Sequence, residues 1–113
     1  MGGEWLNMQP FEIFIAHISW ATGGKSRPVL VMEHDGNNLK VFSVTSQYQN
    51  KSANMQAKYL EIKDWQLSGL DKQSYIDTNK KIELPDSVIS AKTPVGNLTE
   101  TDKQRLLEFL EEK

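Results

Sequence analysis

The chain has 113 residues, 38% hydrophobic and 25% charged, with no cysteine and a formal net charge of -2 at pH 7. That length suits one domain with a small core, and the composition excludes disulfides and thiolate metal sites. No apolar run approaches the roughly 18 residues of a membrane-spanning helix, and two histidines, His17 and His34, are too few for a histidine-based zinc site.

Residues 1–10, MGGEWLNMQP, hold no basic stretch followed by an apolar run, so no export signal is read there and the cytoplasm is the expected compartment. They are taken as an N-terminal extension or leader, with a single folded domain over 11–113. "FEIFIAHISW" (11–20) has Phe11, Ile13 and Ile15 on one parity and Phe14, Ile18 and Trp20 on the other. This pattern predicts a strand buried on both sides. "ATGGKS" reads as a loop, and "RPVLVME" as a second strand with Pro28 at its start, where a missing N–H costs least. "HDGNN" predicts a hairpin turn. "LKVFSVTS" predicts a third strand, with Leu39, Val41, Ser43 and Thr45 on one face and Lys40, Phe42, Val44 and Ser46 on the other.

The stretch 47–57 is polar and without period, and is expected to be a long mobile loop. "KYLEI" predicts a short strand. "KDWQLSGL" predicts a helical turn capped by Asp64 and ended by Gly69. "SYIDTNKKIELP" reads as a strand pair or one bent strand, "DSVIS" as another helical turn, and "AKTPVGNL" as holding a short last strand. "TETDKQRLLEFLEE" (99–112) predicts a helix with Thr99 as N-cap, Asp102 three residues on, and an apolar stripe of Leu106, Leu107 and Leu110. The sum is a mainly β, α+β fold: a small SH3-like barrel with short helices and a C-terminal helix.

The charge is unevenly spread. Glu100, Asp102, Glu108, Glu111 and Glu112 outweigh Lys103, Arg105 and Lys113 at the C-terminal end, which accounts for the whole -2. Between 25 and 58, Lys25, Arg27, Lys40, Lys51 and Lys58 outweigh Glu33 and Asp35, so a local basic face is compatible with an acidic protein. "TGGKS" lacks the spacing of a phosphate loop and precedes a strand. His17 and His34 read as one packed and one exposed histidine, and Glu33 and Asp35 as solvated acids beside the turn. Arg27 and "VTSQ" (44–47) remain. The hairpin brings them to the same end of the sheet. There a guanidinium and neighbouring hydroxyls can form a phosphate site, although a rim arginine beside hydroxyls that satisfy strand ends accounts for the same residues.

"GGKSRPVLVM", a hairpin and then "VTSQ" resemble the MazF/PemK family of toxin–antitoxin toxins. "KDWQLSGLDKQSYIDTNKKIELPDSVISAKTPVGNLTETDKQRLLEFL" resembles the second half of that family, so the likeness covers roughly residues 11–111. The resemblance implies an SH3-like barrel, usually a homodimer, acting as a sequence-specific, metal-independent endoribonuclease on single-stranded mRNA. It implies 2',3'-cyclic phosphate and 5'-hydroxyl products, no cofactor, and neutralisation by a cognate antitoxin. On this sequence the arginine of the R-P motif is Arg27, and the catalytic hydroxyl is Thr45 with Ser46 beside it. RNA contacts are expected from Lys25, Gln47, Lys51 and Lys58, with Tyr48 available for base stacking. Two alternatives stay open: a gyrase-inhibiting toxin of the same fold, and a catalytically inactive RNA-binding barrel.

Overall fold

The structure is a computed structural model that describes residues 8–20, 23–89 and 93–112. The described residues hold six strands: β1 (Glu12–Trp20), β2 (Gly23–Asp35), β3 (Asn38–Thr45), β4 (Tyr59–Glu61), β5 (Tyr75–Pro85) and β6 (Gly96–Asn97). They form one curled antiparallel sheet in the order β4-β5-β3-β2-β1-β6. A four-residue turn of helix, α1 (Ala53–Gln56), and the C-terminal helix α2 (Glu100–Glu111) complete the α+β fold. Of the predicted segments, 21–22 of "ATGGKS", 90–92 of the stretch after "DSVI" and the side chains of 18–20 lie outside the described residues.

Both faces of the central strands are apolar, as the patterning of β1 and β3 requires. Ile13, Leu30, Phe42 and Val44 pack with Leu60, Ile62 and Ile76 beneath Leu98 and Leu106. Phe14, Ala16, Val29, Val31, Leu39 and Val41 form a second cluster closed by Met8. The long 75–85 segment is a single strand, bent where its pairing jumps from Ser43↔Asp77 to Val41↔Ile82. The residues skipped there belong to a bulge that turns the strand around the sheet edge. "DSVIS" opens with a 3-10 turn over Asp86–Val88.

Three expectations about the elements change first. Residues 23–26 of "ATGGKS" are strand, paired with His17–Trp20, because β1 is long enough to hold a ladder to the end of the hairpin. The polar stretch 47–57 is braced from within. Ser52 caps α1, and the side chain of Gln56 donates to the Tyr48 carbonyl at 2.9 Å. Leu107 is 41% exposed and leaves the apolar stripe of α2. Phe109 takes its place, since positions three and four beyond Leu106 share its face and the next residue does not.

The start of α2 sets the far wall of the molecule. Thr99 is the N-cap, its hydroxyl accepting from the Asp102 N–H at 3.3 Å. Asp102 is 1% exposed and does not close a capping box. Its carboxylate instead accepts from the backbone N–H groups of Lys63 and Asp64 and from Arg105 at 2.8 Å. Asp64 likewise caps nothing of its own turn. Its carboxylate receives the Thr99 hydroxyl at 2.7 Å. The 63–70 turn is thereby strapped to α2. It also lies flush on 95–96: a Cβ on Gly69 would stand 2.2 Å from the Val95 carbonyl, and Gly69 has a left-handed φ of 87°.

Candidate functional site

Pro28 lies inside β2, opposite Ile15, and is not the first residue of the strand. Its missing N–H falls where β2 has a neighbour on one side alone. The ladder between β2 and β3 ends at Val29↔Ser43, although β2 begins at Gly23 and β3 runs on to Thr45. Without an N–H at Pro28 that ladder has no donor with which to continue. The two strand ends part, and a cleft of about 680 Å³ opens where they do. Lys25, Ser26, Arg27 and Pro28 border it from β2, and Ser43, Val44 and Thr45 from β3. Residues of both parities line one cleft because the strands have separated there.

Arg27 is half-buried on this wall. Among the described residues its guanidinium makes no hydrogen bond or ion pair, and the same holds for the side-chain ammonium groups of Lys25, Lys51 and Lys72, which line the cleft with it. Four cations thus face two carboxylates, Asp71 and Asp77, on a chain whose net charge is negative. The cleft is the local basic surface. The Thr45 hydroxyl accepts from the Gln47 N–H at 3.0 Å, which occupies a lone pair and leaves its own proton for an outside acceptor. Ser46 is exposed beside it. Gln47 also lines the cleft, its side-chain carbonyl held by Asn50 at 3.2 Å.

Six of the residues singled out in the sequence therefore border one cavity: Arg27, Thr45, Ser46, Lys25, Gln47 and Lys51. Tyr48 and Lys58 do not. Tyr48 stacks on Tyr75, with ring centroids 4.2 Å apart and planes within 6°, and is tilted against Tyr59. Lys58 sits just before β4, where its carbonyl accepts from both the N–H and the hydroxyl of Thr78. His17 is exposed on β1, its Nδ1 3.3 Å from the Ser26 Oγ. His34 is packed rather than exposed. Its Nδ1 accepts from the Met8 N–H at 3.1 Å, so Nε2 carries the proton and faces Asp86 at 3.2 Å.

Sequence reasoning missed Asp77 and Tyr59. Asp77 pairs with Ser43 across the β3–β5 ladder and with Tyr59 across β4–β5, and all three residues line the cleft. Nothing local marks either residue, because their meeting depends on β5 lying between β3 and β4. Burial raises the Tyr59 phenol above its ordinary value of 10.0, and the charge and hydrogen bond of Asp77 add to the rise. Burial, then Glu61 and Tyr48, likewise raise Tyr75. No helix among the described residues is long and apolar enough to cross a membrane.

No protein-family model matches the sequence, nor does any curated protein. Solved structures do match. The Mycobacterium tuberculosis toxin MazF-mt6 superposes with a TM-score of 0.66 at 19% identity, over 88% of this chain and 91% of that one. A second Mtb toxin superposes at 0.61 and 17% identity, over 87% of this chain and 97% of that one. The curled six-stranded sheet, with α2 packed across its end, is the fold of the MazF toxins.

Proposed function

We propose that this chain is an endoribonuclease toxin that cuts single-stranded mRNA at defined sequences, as a homodimer, and is neutralised by a cognate antitoxin that covers the cleft. The observation that carries the reading is Arg27: an unpartnered guanidinium, half-buried at the mouth of a cleft that it shares with the Thr45 hydroxyl. RNA brings its own nucleophile, the 2'-OH. The protein has to align it with the phosphate and hold the charge that develops on the phosphoryl oxygens. Arg27 meets that charge through two parallel N–H groups, and Thr45 donates its proton to a phosphoryl oxygen. Lys25 and Lys51 extend the positive surface along the strand, and Gln47 and Ser46 contribute directional hydrogen bonds. Tyr48 and Lys58, outside the cleft wall, are assigned to the nucleotides that flank the cut. With a guanidinium supplying the charge, the reaction proceeds without a metal ion.

The test is incubation of the protein with a long single-stranded RNA in EDTA, beside Arg27→Ala, followed by mapping of the ends. Discrete cuts bearing 5'-hydroxyl and 2',3'-cyclic phosphate ends, absent with the variant, are expected. A well-folded protein that leaves the RNA intact overturns the reading.

A further inference from the structure

Three residues stand in one row across adjacent strands: Thr45 on β3, Tyr75 on β5 and Glu61 on β4. Residues paired in this way project from the same face of the sheet. Neighbouring strands lie about 4.8 Å apart, so Glu61 stands about 10 Å from Thr45. That is the reach from a phosphate to the far edge of the base on the same nucleotide.

Tyr48 lies flat on Tyr75 in the middle of this row, with ring centroids 4.2 Å apart. Its backbone is fixed there, the carbonyl accepting from the Lys51 N–H at 3.0 Å and from the Gln56 side chain at 2.9 Å. Tyr59, tilted against Tyr48 at 6.2 Å, joins the pair to the cleft wall. Tyr48 is half-buried although Tyr75 covers one of its faces, so part of the ring stays open to a further aromatic ring. A fixed stack of phenols beside a cation-lined cleft suits single-stranded RNA: the phosphates follow the cations and a base extends the stack.

A stack that served only to anchor the 47–57 segment would need no carboxylate, yet Glu61 brings one to it. Burial, then the charge of Glu61 and the Tyr48 phenol, raise the Tyr75 phenol, which places Glu61 at the polar end of the stack. Among the described residues no cation pairs with the Glu61 carboxylate; the Gln73 side-chain N–H donates to its Oε2. That bond uses one of about four lone-pair sites and orients the others. An ionised carboxylate only accepts, so it repels phosphate and any acceptor on a base edge, and it binds a pair of adjacent donors. Of the four RNA bases, guanine alone presents two, N1–H and N2–H, side by side on the edge that single-stranded RNA leaves open.

We propose that Tyr48, Tyr75 and Glu61 form a guanine subsite, with Glu61 selecting the base at one position beside the cut; this deepens the endoribonuclease reading and rests on it for the place of the cut. The base lies on Tyr48 with its Watson–Crick edge turned to Glu61, and the phosphate of the same nucleotide lies toward Thr45. No bond is made or broken at this subsite. It decides which sequence reaches Arg27 and Thr45 in register.

The test has two arms. Cut sites are mapped in EDTA on a single-stranded RNA of randomised sequence. Binding is measured with 2'-O-methyl uridine oligonucleotides, which lack the nucleophile and carry guanine, inosine or adenine at one central position. Wild type is expected to cut at sites that share a guanine at one fixed position, and to bind the guanine oligonucleotide about 10- to 100-fold more tightly than the adenine one. Inosine, without the N2 amino group, falls between them. Glu61→Gln, which presents an amide N–H in place of a lone pair, is expected to bind guanine and adenine alike. Tyr48→Ala weakens both by about 10-fold or more, because stacking is indifferent to the base edge. Where Glu61→Gln does not fold, the inosine comparison tests the same contact without a variant. Cut sites without a fixed guanine, inosine bound as tightly as guanine, or a wild-type preference in Glu61→Gln each overturn the subsite and leave the nuclease reading standing. A wild type that prefers the guanine oligonucleotide and cuts no RNA overturns the nuclease reading and supports the guanine site; one that neither cuts nor prefers guanine overturns both.

Discussion

The backbone N–H of Asp64 and the carboxylate of Asp102 meet at 2.9 Å, joining the turn after β4 to the first turn of α2 across 38 residues of chain. The same carboxylate takes Lys63 and Arg105, so one buried acid satisfies three donors. Asp102→Ala strands two backbone N–H groups and leaves the partly buried Arg105 guanidinium with the Glu61 carbonyl but without its counter-charge. A loss of about 3 kcal/mol is expected, on the scale of breaking one side of a buried charged network. In a domain of this size that lowers Tm by roughly 10 °C or more, as calorimetry would read. A shift within error would mean that water replaces the carboxylate at no cost.

Gly69 tests the packing on the other side of that turn. A methyl group there meets the Val95 carbonyl at 2.2 Å on a backbone with φ of 87°, so neither the side chain nor the chain can yield cheaply. Gly69→Ala is expected to destabilise by about 2 kcal/mol or more in urea melts. The Gly36→Ala control shares the left-handed backbone but has nothing within 4 Å of its Cβ, and should cost less.

Alkaline stability follows from the tyrosines. In the folded chain, burial and neighbouring acids hold Tyr59 and Tyr75 above 10.0. The unfolded chain loses those protons first. Their contribution is therefore complete below about pH 10 and falls away as pH rises through the raised values. Tm measured across this range should decline, and the decline should be shallower in Tyr59→Phe and Tyr75→Phe. An identical decline in both variants would assign it to other groups.

The cleft residues divide by role. Arg27→Ala is expected to abolish RNA cleavage without lowering Tm, because its guanidinium has no partner among the described residues to lose. Thr45→Val should slow cleavage by about 10²-fold, the scale of one preorganised donor. Ser46→Ala should slow it less, since Ser46 is exposed and Thr45 holds the strand end. A worse lesion at Ser46 would move the hydroxyl role by one residue.

Pro28→Ala separates geometry from charge. It restores an N–H where the β2–β3 ladder stops, so the ladder can extend toward Arg27 and Thr45. The expected outcome is unchanged or slightly raised stability with reduced cleavage. Undiminished cleavage would show that the cleft does not depend on the parted strand ends.

Much of the fold was legible along the chain. The two apolar parities of β1 and β3, the Gly36 hairpin, the Thr99 cap and the amphipathic α2 are local properties, and they read through because period and capping act within a few residues. Errors arose where a local signal had a distant competitor. Asp64 looked like the cap of its own turn, yet Thr99, 35 residues on, claimed its carboxylate. Two adjacent glycines suggested a loop, yet β1 supplied a partner strand through Gly23 and Gly24. Leu107 counted as stripe because three leucines lay close together, and the helical pitch turned it outward.

The candidate site shows the same division. Arg27 and the 44–47 segment stand out in the sequence because a single hairpin joins them, and a hairpin is written in its turn residues. Asp77 and Tyr59 carry no such mark. They reach the cleft because β5 inserts between β3 and β4, an order set by which strands bury the most surface against one another and not by any neighbour in sequence. Composition, periodicity and one short motif thus determine the strand inventory and half of the candidate chemistry. Long-range pairing alone decides which carboxylate stands beside the hydroxyl, because contacts between distant segments are chosen by the free energy of the whole packed sheet.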